Sequence, residues 1–118
     1  MRLPTVKRRK EIELLFSTEQ RIKGSYLEIR RTLNEGDARF LFVISKKCGN
    51  APRRNRIRRI LREWLRKNYY KFQAGNIWMI RVSPETKCVS YNKLSITLRR
   101  ELVELLSKLI EKDIDVEV

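Results

Sequence analysis

The 118-residue sequence predicts one domain of the α+β class, its elements in the order α-β-β-α-β-α. Three observations carry that prediction. Residues 26–33 alternate apolar and polar, and residues 40–44 and 77–82 are short apolar runs, all at strand length. Residues 52–72 and 91–110 repeat apolar side chains at helical spacing. Gly, Asn and Pro punctuate the boundaries between these segments.

The elements follow in order. Residues 9–16 bring Ile12, Leu15 and Phe16, with Leu14 beside them, to the spacing of a short amphipathic helix. In residues 26–33, Leu27, Ile29 and Leu33 share one face, and Tyr26, Glu28, Arg30 and Thr32 share the other, as in a half-exposed strand. Asn34-Glu35-Gly36-Asp37 supplies turn residues, so the next strand, 39–45, is expected to return as a hairpin. Its run Phe40, Leu41, Phe42, Val43, Ile44 reads as a central strand.

Gly49 and Asn50 interrupt the chain ahead of a long helix over residues 52–72. Gln73-Ala74-Gly75-Asn76 ends that helix, residues 77–82 form a third strand, and Ser83-Pro84-Glu85 turns the chain again. Leu94, Leu98, Leu102, Leu105, Leu106 and Leu109 then make the stripe of a core-packing helix. Residues 111–118 are acidic and are expected to be a loose tail. No repeat, low-complexity block or linker divides the chain.

Charge narrows the function. Lys and Arg number 28 against 14 Asp and Glu, for a net charge of +14 and a pI near 10.4. Such a field draws polyanions, and the excess is mostly Arg, whose planar fork matches phosphate. A membrane partner is not implied, because no apolar run approaches the ~20 residues needed to span a bilayer. Lys7-Arg8-Arg9-Lys10 stands where a secretory signal would need apolar residues. Cys48 and Cys88, without any histidine, cannot make a zinc site; they could pair with each other, but in a cytoplasmic protein both are read as free thiols.

The long helix concentrates the charge. Ile57, Ile60, Leu61, Trp64 and Leu65 form its apolar stripe, and Asn55, Arg58, Arg59, Arg62 and Arg66 fall broadly opposite. Arg54 and Arg56 flank the stripe near the helix start. From Lys46 to Arg66 there are nine basic residues (Lys46, Lys47, Arg53, Arg54, Arg56, Arg58, Arg59, Arg62, Arg66) and one acid, Glu63. An ordinary solvated face mixes both signs. Here like charges recur at i, i+4 and repel by a few tenths of a kcal/mol per pair, about 0.2–0.5. A helix built against itself in this way points to phosphate binding by these residues and Asn55.

These residues carry a resemblance. Ser45-Lys46-Lys47, then Gly49 and Ala51, then Arg54-Asn55-Arg56, the pair Arg58-Arg59 and Arg62-Glu63 resemble the signature of the bacterial ribonuclease P protein component. The outline of the chain agrees: a basic first helix, two strands before the motif, one after it, and a leucine-rich last helix. Thr18-Glu19-Gln20, Leu41 and Asn76 stand where the family tends to have Gly, Gly and an acid.

The resemblance implies a two-layer α/β sandwich like the second domain of ribosomal protein S5, with a left-handed β-α-β crossover. It implies a ribonucleoprotein in which a catalytic RNA, with Mg²⁺, hydrolyses the bond that frees the 5′ leader of precursor tRNA. The protein would bind the catalytic RNA through the arginine helix and hold the leader between the first helix and the sheet. Ile12, Phe16, Tyr26, Glu28, Arg30, Phe40, Phe42 and Ile44 are the leader-cleft candidates by match to the family. No protein partner is implied.

The residues themselves agree with a helper rather than a catalyst. Without histidine the commonest general acid–base is missing. The one carboxylate cluster is Asp113, Asp115 and Glu117 in the acidic tail, and no glycine-rich phosphate loop is present. Trp64 and Trp78 are expected in the core, while Tyr69 and Tyr70 could either stack or cap.

Overall fold

The computed structural model describes residues 2–117, with side chains as far as residue 109. Three helices and a four-stranded sheet form the domain: α1 (Arg9–Ser17), β1 (Arg21–Lys23), β2 (Leu27–Leu33), β3 (Arg39–Ile44), α2 (Ala51–Lys67), β4 (Asn76–Val82) and α3 (Leu94–Glu117). The strand order is β1-β2-β4-β3. β2 runs antiparallel to β1 and β4, and β3 runs parallel to β4 with α2 as the connection.

Two expectations about the sheet are corrected. β2 and β3 do not form a hairpin, because β4 is inserted between them, and β3 lies at the sheet edge rather than its centre. The central place goes to β4, where Ile77, Trp78, Met79 and Ile80 are buried in succession. A strand covered on both faces needs such an unbroken apolar run. The run of β3 is just as apolar, but its residues after Phe40 are only partly buried. Its outer edge is shielded by the N-terminal segment: Val6 N–H donates to Phe40 O at 2.9 Å and Phe40 N–H to Pro4 O at 3.1 Å. The short β1 was not expected, since three residues are too few to show an alternation.

The sheet separates two apolar clusters. On one face, α2 and α3 pack Ile57, Ile60, Leu61, Leu65, Leu94, Leu98, Leu102, Leu105, Leu106 and Leu109 against Leu27, Ile29, Phe40, Trp78, Ile80 and Val82. Trp64 sits half-buried beside them. On the other face, α1 sets Leu15 on Ile77 and Met79, with Val6 from the N-terminal segment. Phe72 bridges Phe40 and Trp78 by edge-to-face contacts at 5.0 and 5.2 Å.

The helix boundaries also shift. α2 stops at Lys67, and residues 69–71 form a separate 3-10 turn instead of continuing it to Phe72. There Tyr69 leaves the helix axis to donate its hydroxyl to Ala38 O at 2.7 Å, while Tyr70 is 81 % exposed. α3 continues to Glu117 through the stretch read as a loose tail, which contains neither Gly nor Pro to end a helix. The side chains of Asp113, Asp115 and Glu117 lie outside the described residues.

Candidate nucleic-acid interface

The arginine helix is started by three neighbouring residues. Gly49 has φ of 132°, a conformation that L side chains rarely adopt, and a β-carbon there would meet Arg53 Cδ at 2.5 Å. Asn50 caps α2 by accepting from Arg53 N–H at 3.0 Å. Pro52 falls in the first turn, where its missing N–H leaves no bond unmade. The apolar stripe then buries Ile57, Ile60, Leu61 and Leu65, so the opposite face must look outward.

The predicted cations divide into two sets. Arg53 extends into the protein and donates Nη2 to Thr86 O at 2.6 Å and also to Val89 O, pinning the loop that leads to α3. Arg56 lays its guanidinium 4.7 Å from the ring centre of Tyr91. Arg54 donates to Gly49 O at 2.8 Å and so braces the turn ahead of its own helix. These three are therefore wholly or partly committed inside the fold. Helical spacing carried that signal, since Arg53 and Arg56 stand one turn before the buried Ile57 and Ile60.

The second set is outward. Lys46, Lys47, Arg59, Arg62 and Arg66 are exposed and Arg58 is half-buried. Arg58 donates to Asn55 Oδ1 at 3.2 Å, and Arg59 pairs with Glu63 at 3.1 Å across one helical turn. The Arg59 hydrogen bond holds the Glu63 carboxyl below the usual carboxylate range. A single exposed acid leaves this face strongly cationic, and an exposed pair of this kind contributes little to stability.

The leader-cleft candidates fall on opposite sides of the sheet. Ile12 and Phe16 on α1 share a side with Arg30 and Glu28 of β2. Phe16 and Leu14 of α1 are both 46 % exposed there. Arg30 is buried beneath the helix end, donating to Phe16 O at 2.6 Å and to Glu28 at 3.0 Å. A cation at a helix C-terminus satisfies its last carbonyls and its dipole.

Phe40, Phe42, Ile44 and Tyr26 belong instead to the face packed by α2 and α3, with Phe40 only 1 % exposed. Side chains alternate along a strand, so Leu41 and Val43 are the β3 residues on the α1 side. The match to the family named Phe40, Phe42 and Ile44 for the α1 side, and because both alternating sets of this strand are apolar, its residues alone could not correct that choice.

Two buried carboxylates escaped sequence reading. Glu11, in the first turn of α1, accepts from Arg39 Nη1 at 2.8 Å and from Asn34 Nδ2, and Arg39 holds its carboxyl below the usual range. Glu101 on α3 accepts from the backbone N–H groups of Tyr26 and Leu27 at 2.8 and 2.7 Å. Both look like ordinary surface acids of amphipathic helices until their partners are in place.

Among the described residues, no group of three or more His, Cys, Asp and Glu side chains could hold a metal ion. The carboxylates most deeply placed are already taken by Arg39 and by the backbone of β2. Among the described residues, then, the carboxylates of this face are not grouped as a Mg²⁺ centre would need. Cys48 is buried and Cys88 exposed, both as free thiols. No helix among the described residues is long and apolar enough to cross a membrane.

Fold and site together define a small α+β protein that carries an outward cationic helix beside a partly covered sheet. The model of the Ribonuclease P family matches residues 2–109, and the chain belongs to that family. The ribonuclease P protein component of Syntrophus aciditrophicus is 32 % identical over 114 residues, spanning 84 % of this chain and 92 % of the relative. The ribonuclease P protein of Thermotoga maritima superposes with a TM-score of 0.71 at 25 % identity, over 88 % of this chain and 96 % of the other. That of Staphylococcus aureus gives 0.74 at 18 % identity, over 87 % and 92 %, which speaks to the fold alone. Family membership implies a role in maturing the 5′ end of tRNA.

Proposed function

We propose that this chain is the RNA-binding, non-catalytic protein subunit of ribonuclease P. In this reading α2 grips the catalytic RNA, and the α1 side of the sheet holds the 5′ leader of precursor tRNA. The observation that carries the proposal is the outward cationic set: Arg58, Arg59, Arg62 and Arg66 on a helix whose other face is buried, with Lys46 and Lys47 exposed in the short 3-10 turn just ahead of it. Rigid mounting fixes the spacing of the guanidinium groups before RNA arrives, so less ordering entropy is lost on binding. Arg53, Arg54 and Arg56 act mainly by fixing the helix start and the loop beneath it, which positions the others.

On the α1 side, the half-exposed Phe16 offers a ring on which an unpaired base can stack, and Arg30 and Glu28 set the adjoining polar floor. Mg²⁺ is assigned to the RNA, where it would activate the attacking water and stabilise the leaving oxygen. The protein contributes phosphate neutralisation and position. The compartment that fits this work is the cytoplasm.

A reconstitution assay tests the reading. The protein should restore cleavage of precursor tRNA by cognate catalytic RNA at low Mg²⁺. Failure to do so, despite a folded protein, overturns the proposal and favours an RNA-binding protein with a purely structural partner. Cleavage by protein freed of RNA would point instead to a self-sufficient nuclease.

A further inference from the structure

The N-terminal segment is fixed rather than trailing. Leu3 and Val6 are buried, and the segment is hydrogen-bonded alongside β3 through Pro4 and Val6. This holds Arg2 and Lys7 opposite the second half of α2. Between them lies an open cleft of about 560 Å³, with Arg2 and Lys7 on one wall and Arg62 and Arg66 on the other. Leu3, Pro4 and Thr5 complete the lining, and no carboxylate takes part.

The four cations are available. Among the described residues none of them donates a hydrogen bond or closes an ion pair. The nearest acid on α2, Glu63, feels Arg66 but is held by Arg59 at 3.1 Å. Four unpaired positive charges around one cleft repel each other, and two facing cationic walls focus positive potential between them. Anchoring Leu3 and Val6 maintains that arrangement against the repulsion. A ligand with regularly spaced negative charges relieves it, and a neutral or cationic one does not.

We propose that this cleft is a second-wall phosphate site: the backbone of one RNA strand lies in it, clasped between segment 2–7 and α2. The proposal rests on the RNA-binding reading given above and adds Arg2 and Lys7, which that reading does not use. Either the catalytic RNA or precursor tRNA could supply the strand, and the chemistry recognised is the same phosphodiester backbone.

The test is the salt dependence of binding. Cognate catalytic RNA is titrated with the full-length protein and with Arg2→Ala/Lys7→Ala, and holoenzyme assembled from each is titrated with precursor tRNA. Both residues are exposed, so the variant should keep the wild-type unfolding midpoint. In the arm whose RNA occupies the cleft, the slope of log K against log salt should fall by two contacts' worth, about 1.4–1.8. Lys7→Arg should retain the wild-type slope. The arm that changes identifies the RNA. Unchanged slopes in both arms overturn the cleft.

Arg58→Ala/Arg59→Ala serves as the control on the other part of α2. If that variant loses slope and Arg2→Ala/Lys7→Ala does not, the cleft alone is wrong. If neither variant changes either arm, the RNA-binding reading itself fails.

Discussion

Arg39, at the start of β3, donates to Glu11, in the first turn of α1, with Nη1 to Oε1 at 2.8 Å. The pair ties the helix start to the sheet, and Arg30 ties the helix end through Phe16 O at 2.6 Å. α1 is thus fastened by a polar contact at each end, with Leu15 buried between them. The distance between α1 and the sheet is therefore set by the fold, and this is the side on which Phe16 stands exposed.

The first prediction concerns this fastening. Glu11→Ala leaves the Arg39 guanidinium and the Asn34 amide without their acceptor, and should cost about 1–3 kcal/mol, the lower range because Arg39 keeps some access to water. Arg39 lowers the Glu11 carboxyl below its unfolded value, so this stability is present above the unfolded pKa, about 4.3. It is lost as pH falls through the lower folded value. Urea unfolding followed from pH 7 to pH 3 should show a shallower acid decline in Glu11→Gln than in the wild type. Parallel curves would mean that other carboxylates control the acid limb.

The second prediction separates the two sets of arginines. Arg53→Ala removes the donor to Thr86 O and Val89 O and should destabilise by about 1–3 kcal/mol. Arg59→Ala disrupts only an exposed pair and should stay within about 0.5 kcal/mol of wild type. In RNA titrations the order reverses: Arg59→Ala should lower the salt slope by one contact's worth, about 0.7–0.9, with the fold intact. Equal stability losses in the two variants would refute the division.

A third prediction distinguishes the two faces of the sheet. Phe40→Ala empties a site that is 1 % exposed, packed by Tyr69 and Phe72, and should cost about 3–5 kcal/mol. Phe16→Ala truncates a half-exposed ring and should cost under about 1 kcal/mol. Substrate binding should respond oppositely. Phe16→Ala should weaken holoenzyme affinity for precursor tRNA with a leader and leave affinity for leaderless tRNA unchanged. A folded Phe40→Ala protein that lost leader affinity selectively would return Phe40 to the cleft.

Much of the molecule was legible before any coordinates. The apolar spacing of α2 identified Ile57, Ile60, Leu61, Trp64 and Leu65 as its stripe, and all but the half-buried Trp64 are buried, because helical periodicity is a local property of the chain. The leucine stripe of α3 was readable for the same reason. The charge excess and the motif around Arg54-Asn55-Arg56 were enough to suggest the family to which the chain belongs.

Strand neighbours were not legible, because β2, β3 and β4 carry similar apolar patterns and pairing depends on contacts far apart in sequence. Only the folded sheet placed β4 between the other two and sent Phe40 to one face and Leu41 to the other. Individual arginines were likewise undecided. Arg53 and Arg59 are the same side chain on one helix, and they differ only in what lies beside them: Thr86 O and Val89 O for one, solvent and Glu63 for the other. The sequence determined that α2 is basic on one side and apolar on the other. The tertiary structure decided which of its charges are held within the fold and which face solvent, because only the folded chain brings Thr86 O, Val89 O and the Tyr91 ring up to the start of the helix.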